Sequence, residues 1–464
     1  MRKSNEVLLV RIQRKQSSYL LSITLLVLII FLSYFQSFSV AVLGEDEIGG
    51  LIRHNIDKID DGDGLEIGDF NQDGLIDVVI AESILGRVTW YEQGRDIDKW
   101  IPHPIVEGYE KIEGLDVLDA DNDKKLEVII LDQGLGCVAI AEQDTADAKG
   151  TWTDVVLDPI AYKVQCSLEF DVDTDGDIDL IYAYEGLEDG QGGFFWLEFK
   201  GGESLNVENW EKHTIRQING GWWINQHILD LNGDGNATEI VVTSRNLRNK
   251  DARPGAFWLE PTANVQDLWI EHVIEESADY YPLHITTGNV TGGSHSNDIV
   301  AGAMEKGTGI YLYSFDEGFS RSIIRADGKW HNVKALNLDN TGRDELILVD
   351  KNIIAGRRIR LCTFRNGEYE EIWNTRYWKA DDRIIPYDID DDGYNEFFTV
   401  SANDNSVDWW DVAFGYVPLP LKETIMVTSL IGIVFPFFVF TIILIRSRYR
   451  ERMLPSKVLK KKRI

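Results

Sequence analysis

The stretch Asp171-Val-Asp-Thr-Asp-Gly-Asp-Ile-Asp179 is the clearest copy of a motif that recurs along this chain. It places carboxylates at positions 1, 3, 5 and 9 of a short loop and Gly176 at position 6, and the apolar run Leu180-Ile-Tyr-Ala follows at once. Hard cations such as Ca²⁺ take several oxygen ligands from loops of this kind. An EF-hand loop begins alike but closes with Glu at position 12 between helices. Here β-favouring runs flank the loop, which indicates a cation site between two strands.

Seven copies of this loop begin 48 to 59 residues apart, and a repeat of that length defines the architecture of a chain. The fourth copy has one extra residue, and the fifth is degenerate. The sixth has Asn337 and Thr341 in place of acids. The copies begin at Asp69, Asp119, Asp171, Asp230, Asn289, Asn337 and Asp388.

We predict structural Ca²⁺ in five of these loops, where a cation would relieve carboxylate repulsion and fix each hairpin. The pattern is most complete in the first, third and seventh loops, whereas the second has Lys124 in place of glycine. The alternative is a set of solvated turns, since Asp is common in turns. A turn alone does not require acids at positions 1, 3, 5 and 9. The predicted ligands are Asp69, Asn71, Asp73, Asp77, Asp119, Asp121, Asp123, Glu127, Asp171, Asp173, Asp175, Asp179, Asp230, Asn232, Asp234, Glu239, Asp388, Asp390, Asp392 and Glu396.

Each loop has the same surroundings. Short apolar runs precede and follow it, and after a turn a third run often reads Trp-Tyr-Glu or Trp-Leu-Glu, as at Trp90, Trp196 and Trp258. A fourth run carries a histidine in several copies. Four short strands per repeat, without a helical stretch between repeats, predict the blades of a β-propeller.

The repeats resemble the FG-GAP / VCBS-type family, which builds the seven-bladed propeller of integrin α chains. The resemblance rests on the Asp-x-Asp/Asn-x-Asp-Gly loops and on the Trp-Tyr-Glu and Trp-x-x-His strands, and it covers about residues 50–415. It implies an all-β, seven-bladed propeller, to which we assign residues 45–416. It also implies an integrin α-like role in recognition or adhesion at a cell surface.

Two apolar segments flank the repeats. Residues 19–43 form either a signal anchor or a cleaved signal peptide, and residues 424–445 are long enough for a transmembrane helix. The basic segments 1–18 and 446–464 are predicted to be cytoplasmic, which places the propeller on the extracytoplasmic side of a membrane. Lys461-Lys462 resembles an endoplasmic-reticulum retrieval signal. The alternative is a basic anchor that contacts anionic lipid in a cell-surface protein.

A strand before the first loop, Leu51-Ile-Arg-His54, is similar to the fourth strands of later repeats, and only two strands follow the seventh loop. We therefore expect the N-terminal strand to complete the last blade, which leaves no free sheet edge between the first and last repeats. In such a blade the chain enters and leaves on the face of the acidic loops. We predict that this face is nearest the membrane and that a partner binds the opposite face.

The predicted partner face carries the linkers between blades, and several of these linkers are aromatic. Rigid aromatic side chains around a ring offer contact area to a protein or glycan ligand. The alternative is that these side chains fill the gaps between blades. The candidate residues are Tyr109, Tyr162, Trp222, Trp223, Tyr280, Tyr281 and Trp330.

Composition excludes two classes of protein. The formal net charge is −31 although both ends are basic, so the middle of the chain is strongly acidic and would repel nucleic acid. Only three cysteines are present, which is too few for a disulfide framework in a domain of this size. Buried free thiols are the expected state.

Catalytic signatures are absent from the sequence: no nucleophile constellation, phosphate loop or zinc spacing stands out. His54, His103, His213 and His272 share one strand position, so we predict that they pack rather than catalyse. We therefore predict a Ca²⁺-binding recognition module for a protein or glycan partner, not an enzyme. The alternatives are a polysaccharide-processing propeller enzyme and an endoplasmic-reticulum membrane assembly or quality-control factor.

Overall fold

The computed structural model describes residues 48–144, 149–185, 192–217, 222–232, 236–245, 255–276, 282–292, 298–303, 307–314, 320–350, 358–375, 383–401 and 405–414. These residues form 28 strands and one 3₁₀ turn, Val207–Asn209. The predicted segments 1–18, 19–43, 424–445 and 446–464 lie outside them. Within the described ranges, no helix is long and apolar enough to cross a membrane.

The strands form seven four-stranded sheets, the blades of a propeller, and in blades 1 to 6 the four strands pair in chain order. Blade 1 consists of β2 (Gly62–Gly68), β3 (Asp77–Glu82), β4 (Arg87–Gln93) and β5 (Trp100–Glu107); blade 2 of β6 (Ile112–Leu118), β7 (Glu127–Asp132), β8 (Cys137–Gln143) and β9 (Trp152–Asp158); blade 3 of β10 (Ser167–Phe170), β11 (Asp179–Tyr184), β12 (Gly193–Phe199) and β13 (Trp210–Gln217).

The next three blades repeat this order. Blade 4 consists of β14 (Trp222–Leu229), β15 (Glu239–Arg245), β16 (Gly255–Glu260) and β17 (Ile270–Glu276); blade 5 of β18 (Pro282–Gly288), β19 (Asp298–Ala303), β20 (Ile310–Ser314) and β21 (Ser320–Arg325); blade 6 of β22 (Trp330–Leu336), β23 (Glu345–Asp350), β24 (Ile359–Arg365) and β25 (Glu368–Asn374).

Blade 7 joins the two ends of the described chain. It pairs β26 (Ile384–Tyr387), β27 (Glu396–Ser401), β28 (Ser406–Phe414) and the first strand, β1 (Ile48–Lys58), in the order β1-β28-β27-β26. The all-β, seven-bladed arrangement and its closure by the N-terminal strand are therefore confirmed.

The second strand of a blade is its most buried element. Every residue of β3 is buried, and the same holds for β7, β11, β19 and β27. Neighbouring blades cover both faces of these strands. Their sequences are therefore continuous apolar runs and do not alternate between apolar and polar residues. The fourth strands lie at the outside of the ring, and β5 accordingly has exposed residues.

Among the described residues, the hydrophobic core is divided into seven clusters, each between two adjacent blades. Leu65 and Val78 of blade 1 pack with Val400 and Trp409 of blade 7, in the cluster that closes the ring. Equivalent clusters lie between all the other neighbouring blades. Examples are those between blades 1 and 2, blades 3 and 4, and blades 6 and 7. The ring is thus held together by side-chain packing from blade to blade.

The repeated histidines stack on tryptophans of the adjacent third strand. The ring centroids of His103 and Trp90 are 4.5 Å apart, and those of His213 and Trp196 are 4.6 Å apart. His272 lies 3.8 Å from Trp258 in the same way, and His54 lies 3.8 Å from Trp409. These contacts are the packing role that we predict from the sequence. The three cysteines, all described, are buried and form no disulfide.

Candidate metal centres in the acidic loops

Each acidic loop joins the first strand of a blade to its second strand. In blade 1, Gly68 before the loop pairs with the last loop carboxylate, Asp77. In blade 3, Phe170 pairs with Asp179 in the same register. Since all seven blades share this order of strands, the loops lie on one face of the ring. Each is the turn of a β-hairpin, as we predict from the sequence.

The third loop shows how its acidic residues organise the backbone. The Asp171 carboxylate accepts hydrogen bonds from the backbone N–H groups of Asp175 and Gly176, both at 3.1 Å. Asp173 accepts from the N–H of Asp175 at 3.2 Å, and Asp175 accepts from that of Asp177 at 3.0 Å. The first and seventh loops repeat these contacts. The loops are therefore pre-shaped, with their carboxylates turned inward.

Position 6 of the loop requires a left-handed backbone conformation, and Gly176 adopts it with φ of 101°. Lys124 occupies this position in the second loop and has φ of 72°. The second loop thus keeps the fold of the others, and the lysine bears a conformational strain of about 1 kcal/mol.

The last carboxylate of the loop is buried under the hairpin. Asp179 accepts hydrogen bonds from the N–H groups of Val172 and Phe199, both at 2.9 Å. Asp77 makes the equivalent pair of contacts in blade 1. Burial raises the pKa of Asp77 and of Asp179 to about 7, and it raises the pKa of Glu127 to about 9. A bound cation would favour the ionised form of these groups.

Oxygens from three carboxylates converge in three of the loops, each set lying within 4.8 Å of one another. This distance allows a single cation to contact all three oxygens. In the first loop Asn71 takes the third position, so an amide oxygen stands where these three loops have a carboxylate. The convergent sets are Asp119, Asp121 and Glu127; Asp171, Asp173 and Asp179; and Asp388, Asp390 and Glu396.

Two oxygens in the second loop are left without a hydrogen-bond donor. Asp119 Oδ1 and Glu127 Oε1 are buried, and no described group donates to either. A buried carboxylate oxygen without a partner costs free energy, which a divalent cation would offset. The residues present therefore fit a Ca²⁺ ion here. Lys125 would compete with a cation for the carboxylates of this loop, because its ammonium lies 2.6 Å from Asp123 and 2.5 Å from Glu142.

The fourth loop is only partly described. Its last carboxylate, Glu239, is buried and accepts hydrogen bonds from the N–H of Leu231 at 2.9 Å and from the Asn232 amide at 3.0 Å. Asp230 is half-buried, and Asp234 lies outside the described residues. The predicted ligand set of this loop therefore stays a prediction.

A glutamate of the third strand reaches the acidic loop, and our sequence reasoning missed it. Glu142 offers an oxygen within 4.8 Å of Asp121 and Asp123. In blade 1 the equivalent Glu92 accepts a hydrogen bond from His103 at 2.9 Å and lies 3.4 Å from the Asn71 amide nitrogen. The signal in the sequence is the glutamate that recurs in the third strand, after Trp-x in blades 1, 3 and 4 and after Ile140-Ala in blade 2.

The predicted partner-contact aromatics differ in their surroundings. Tyr109 is half-buried and donates its hydroxyl to Asp154 at 2.7 Å, and Tyr162 is half-buried with its ring against Gly136. Trp330 is only 3% exposed, and its indole donates to a backbone carbonyl at 3.1 Å.

Trp330 thus fills the gap between blades 5 and 6, which is the alternative we gave for these side chains, and it offers no contact surface. Trp222 and Trp223 begin β14, but their side chains lie outside the described parts. Tyr280 and Tyr281 lie outside the described residues altogether.

Both described ends of the ring lie at the face of the acidic loops. β28 runs from Ser406 to Phe414, and the Phe414 ring is 4.6 Å from the ring of Tyr394 in the seventh loop. Ile48, where the description of the chain begins, pairs with Phe414.

Comparison with known proteins supports the repeat. Residues 69–130, which span the first two acidic loops, match the family model described as FG-GAP-like repeat. No curated protein matches the chain. Among solved structures, it is similar to a triple arginine-to-alanine mutant of AofleA from Arthrobotrys oligospora, with 12% identity, a TM-score of 0.42, and coverage of 70% of this chain and 89% of that one. The chain thus carries an FG-GAP-like repeat, at residues 69–130, within a seven-bladed β-propeller.

Proposed function

We propose that this protein is a Ca²⁺-stabilised recognition module, anchored in a membrane with its propeller on the extracytoplasmic side. The observation that carries the proposal is the position of Ile48 and Phe414, which pair beside the acidic loops. This position suits a propeller whose acidic-loop face is nearest the membrane. The opposite face is free for a protein or glycan partner. On this proposal the protein binds its partner and does not catalyse a reaction.

Calcium binding is supported by the converging carboxylates and by the unpartnered oxygens of Asp119 and Glu127. The ions would hold the first strand of a blade to its second and neutralise part of the acidic face. Thermal unfolding of the purified protein in millimolar Ca²⁺ and in chelator tests this role. We expect Ca²⁺ to raise Tm by several degrees and Mg²⁺ at the same concentration to raise it less. A Tm that is the same in chelator and in Ca²⁺ would refute the structural role of the metal.

Membrane anchoring rests on the uncharged segments and their basic flanks. The full chain should stay with membranes after alkaline extraction, and added protease should reach the propeller from the extracytoplasmic side only. Deletion of residues 424–445 should release the protein if 19–43 is a cleaved signal peptide. Release of the intact full chain by alkali would contradict the anchor. Replacing Lys461 and Lys462 by serine distinguishes a protein retrieved to the endoplasmic reticulum from a cell-surface protein. The variant should change its location only if these lysines form a retrieval signal.

Partner recognition is best tested on the linker aromatics at the start of β14. The intact protein would be applied to a glycan array and to cell surfaces, beside a Trp222→Ala/Trp223→Ala double variant. We expect the double variant to lose binding while its Tm stays within about 2 °C of the wild type. Equal binding by both proteins would exclude this pair from the contact surface. Glycan turnover without stable binding would favour the enzyme instead.

A further inference from the structure

A cavity of about 160 Å³ lies on the axis of the ring, and residues on or directly before the first strands of six blades line it. A water molecule takes up about 30 Å³ in the liquid, so the cavity has room for about five waters or for a small organic molecule. Four of the lining side chains occupy equivalent places, three residues before the first position of an acidic loop. These four are Glu66, His227, Lys334 and Ile385.

Charged groups of both signs surround this cavity. Glu66, Lys334 and Arg383 line it directly, and Asp116 lies close enough to influence the pKa of Glu66. Removing charges from water is unfavourable unless they are paired. The pairing of each charge therefore decides what the cavity can bind.

The Lys334 ammonium group lies at the cavity, close enough to Glu66 for that group's charge to affect its pKa. It forms no hydrogen bond and no ion pair with any residue in the part of the chain that the structure describes. Burial lowers the pKa of Lys334, while the charge of Glu66 raises it. A lysine that lines a cavity without an acceptor has three N–H donors available to a ligand.

Arg383 adds further donor capacity beside it. One of its terminal nitrogens donates to the backbone carbonyl of Gln165 at 3.0 Å, across the ring from blade 7. Its Nε is buried and has no acceptor among the described residues. Two cationic side chains from blades 6 and 7 therefore have unused donors at one cavity.

The acidic groups compensate these cations only in part. Asp116 accepts hydrogen bonds from Ser167 Oγ at 3.0 Å and from the N–H of Val117 at 3.2 Å. Burial raises the pKa of Asp116, and the charge of Arg383 opposes this rise. Burial raises the pKa of Glu66 to about 8, so this carboxyl holds its proton at neutral pH.

We propose that the central cavity binds a small oxyanion, the carboxylate or phosphate group of a small molecule, between Lys334 and Arg383. The oxyanion would accept from the Lys334 ammonium and from the Arg383 guanidinium, and the protonated Glu66 would donate a further hydrogen bond. None of the residues that line the cavity belongs to an acidic loop, and none is among the predicted metal ligands. The site is therefore distinct from the metal loops.

Titration calorimetry on the purified full-length protein tests this proposal, with sodium acetate and inorganic phosphate as separate probes. The two probes distinguish a carboxylate from a phosphate ligand. We expect saturable binding of at least one probe, weakened at least tenfold in Lys334→Met and less than threefold in Lys334→Arg. Lys58→Met, which removes an exposed lysine at the end of β1, is the matched control and should bind as the wild type does.

Each other outcome overturns the proposal. If neither anion binds saturably, water alone suffices to fill the cavity. Equal affinities in wild type and Lys334→Met would place any bound anion elsewhere. Saturable binding of methylammonium but of neither anion would show that the acidic groups dominate the site. Since Lys334→Met removes an unpaired charge from the interior, the variant is expected to fold, and an unchanged circular dichroism spectrum checks this.

Discussion

Ile48 pairs with Phe414 across the two strands that close the propeller, so the first and last described residues of the chain are neighbours. From there β1 follows β28 as far as Lys58, which lies opposite Ser406. No disulfide holds these segments together, because none of the three cysteines, which all lie in the described ranges, forms one. Ring closure therefore depends on the hydrogen bonds of this strand pair and on the side chains that β1 buries.

Replacing Leu51 by alanine should weaken this closure. Leu51 is 4% exposed and packs in the cluster between blades 6 and 7, so the substitution leaves a cavity in the core. We expect a loss of about 2–4 kcal/mol in the free energy of unfolding. Ile52→Ala is the matched control on the other face of the strand, where the side chain is 42% exposed, and should cost less than about 1 kcal/mol. Urea unfolding measures both, and equal losses would argue against the packing of β1.

The fold was predictable because the repeat is visible in the sequence. The spacing of the acidic loops and the apolar runs around them indicate seven blades, and His54 in an outer-type strand indicates the ring closure. The sequence could not show how each aromatic is used. Trp330 and Tyr109 both stand near the start of a blade, yet one is buried and the other is half-buried. That difference depends on how neighbouring blades pack.

Asp179→Asn should destabilise the third blade even without metal. The carboxylate accepts two backbone N–H groups, and an amide has a single oxygen, so its NH₂ group would face one of these donors. We expect a loss of about 1–3 kcal/mol in chelator, and a smaller Ca²⁺-dependent rise in Tm. Asp177→Asn, two residues away and half-buried, should change the free energy of unfolding by less than about 0.5 kcal/mol. If the two variants unfold alike, the buried carboxylate has no special role.

The candidate site was predictable in part. Carboxylates at positions 1, 3 and 9 do converge, as in Asp171, Asp173 and Asp179, because the loop spacing encodes the turn. The charges of the central cavity were not recognised, although Glu66 and Lys334 each interrupt an apolar strand at the same place in the repeat. Their proximity follows from the ring, which brings residues far apart in sequence to one axis.

His213→Ala should weaken blade 3 through two lost contacts. The imidazole stacks on Trp196 and hydrogen-bonds to Glu198 at 2.6 Å, so the variant loses a ring contact and leaves a carboxylate without its partner. We expect about 1–3 kcal/mol less stability. Glu211→Ala on the same strand removes only an exposed ion pair with Lys200 and should cost less than about 1 kcal/mol. A histidine variant as stable as the glutamate variant would contradict the packing role.

Glu66 should make the stability of the protein fall as the pH rises. Burial, with the charge of Asp116, raises the pKa of this carboxyl from 4.5 to about 8, while Arg383 and Lys334 oppose the rise. Between these two values the folded chain binds a proton that the unfolded chain has released. The free energy of unfolding therefore decreases with pH across this window, by up to about 1.4 kcal/mol per pH unit, and is independent of this group below and above it.

Glu66→Gln removes this titration and should gain stability relative to the wild type as the pH is raised from 5 to 8. Urea unfolding at both pH values, in chelator so that metal binding does not contribute, gives the comparison. Glu107→Gln, an exposed substitution on β5, should change the wild-type slope little and serves as the control. Parallel pH profiles for wild type and Glu66→Gln would show that Glu66 ionises freely in the folded protein. Lys334 would then have a charged counterpart across the central cavity.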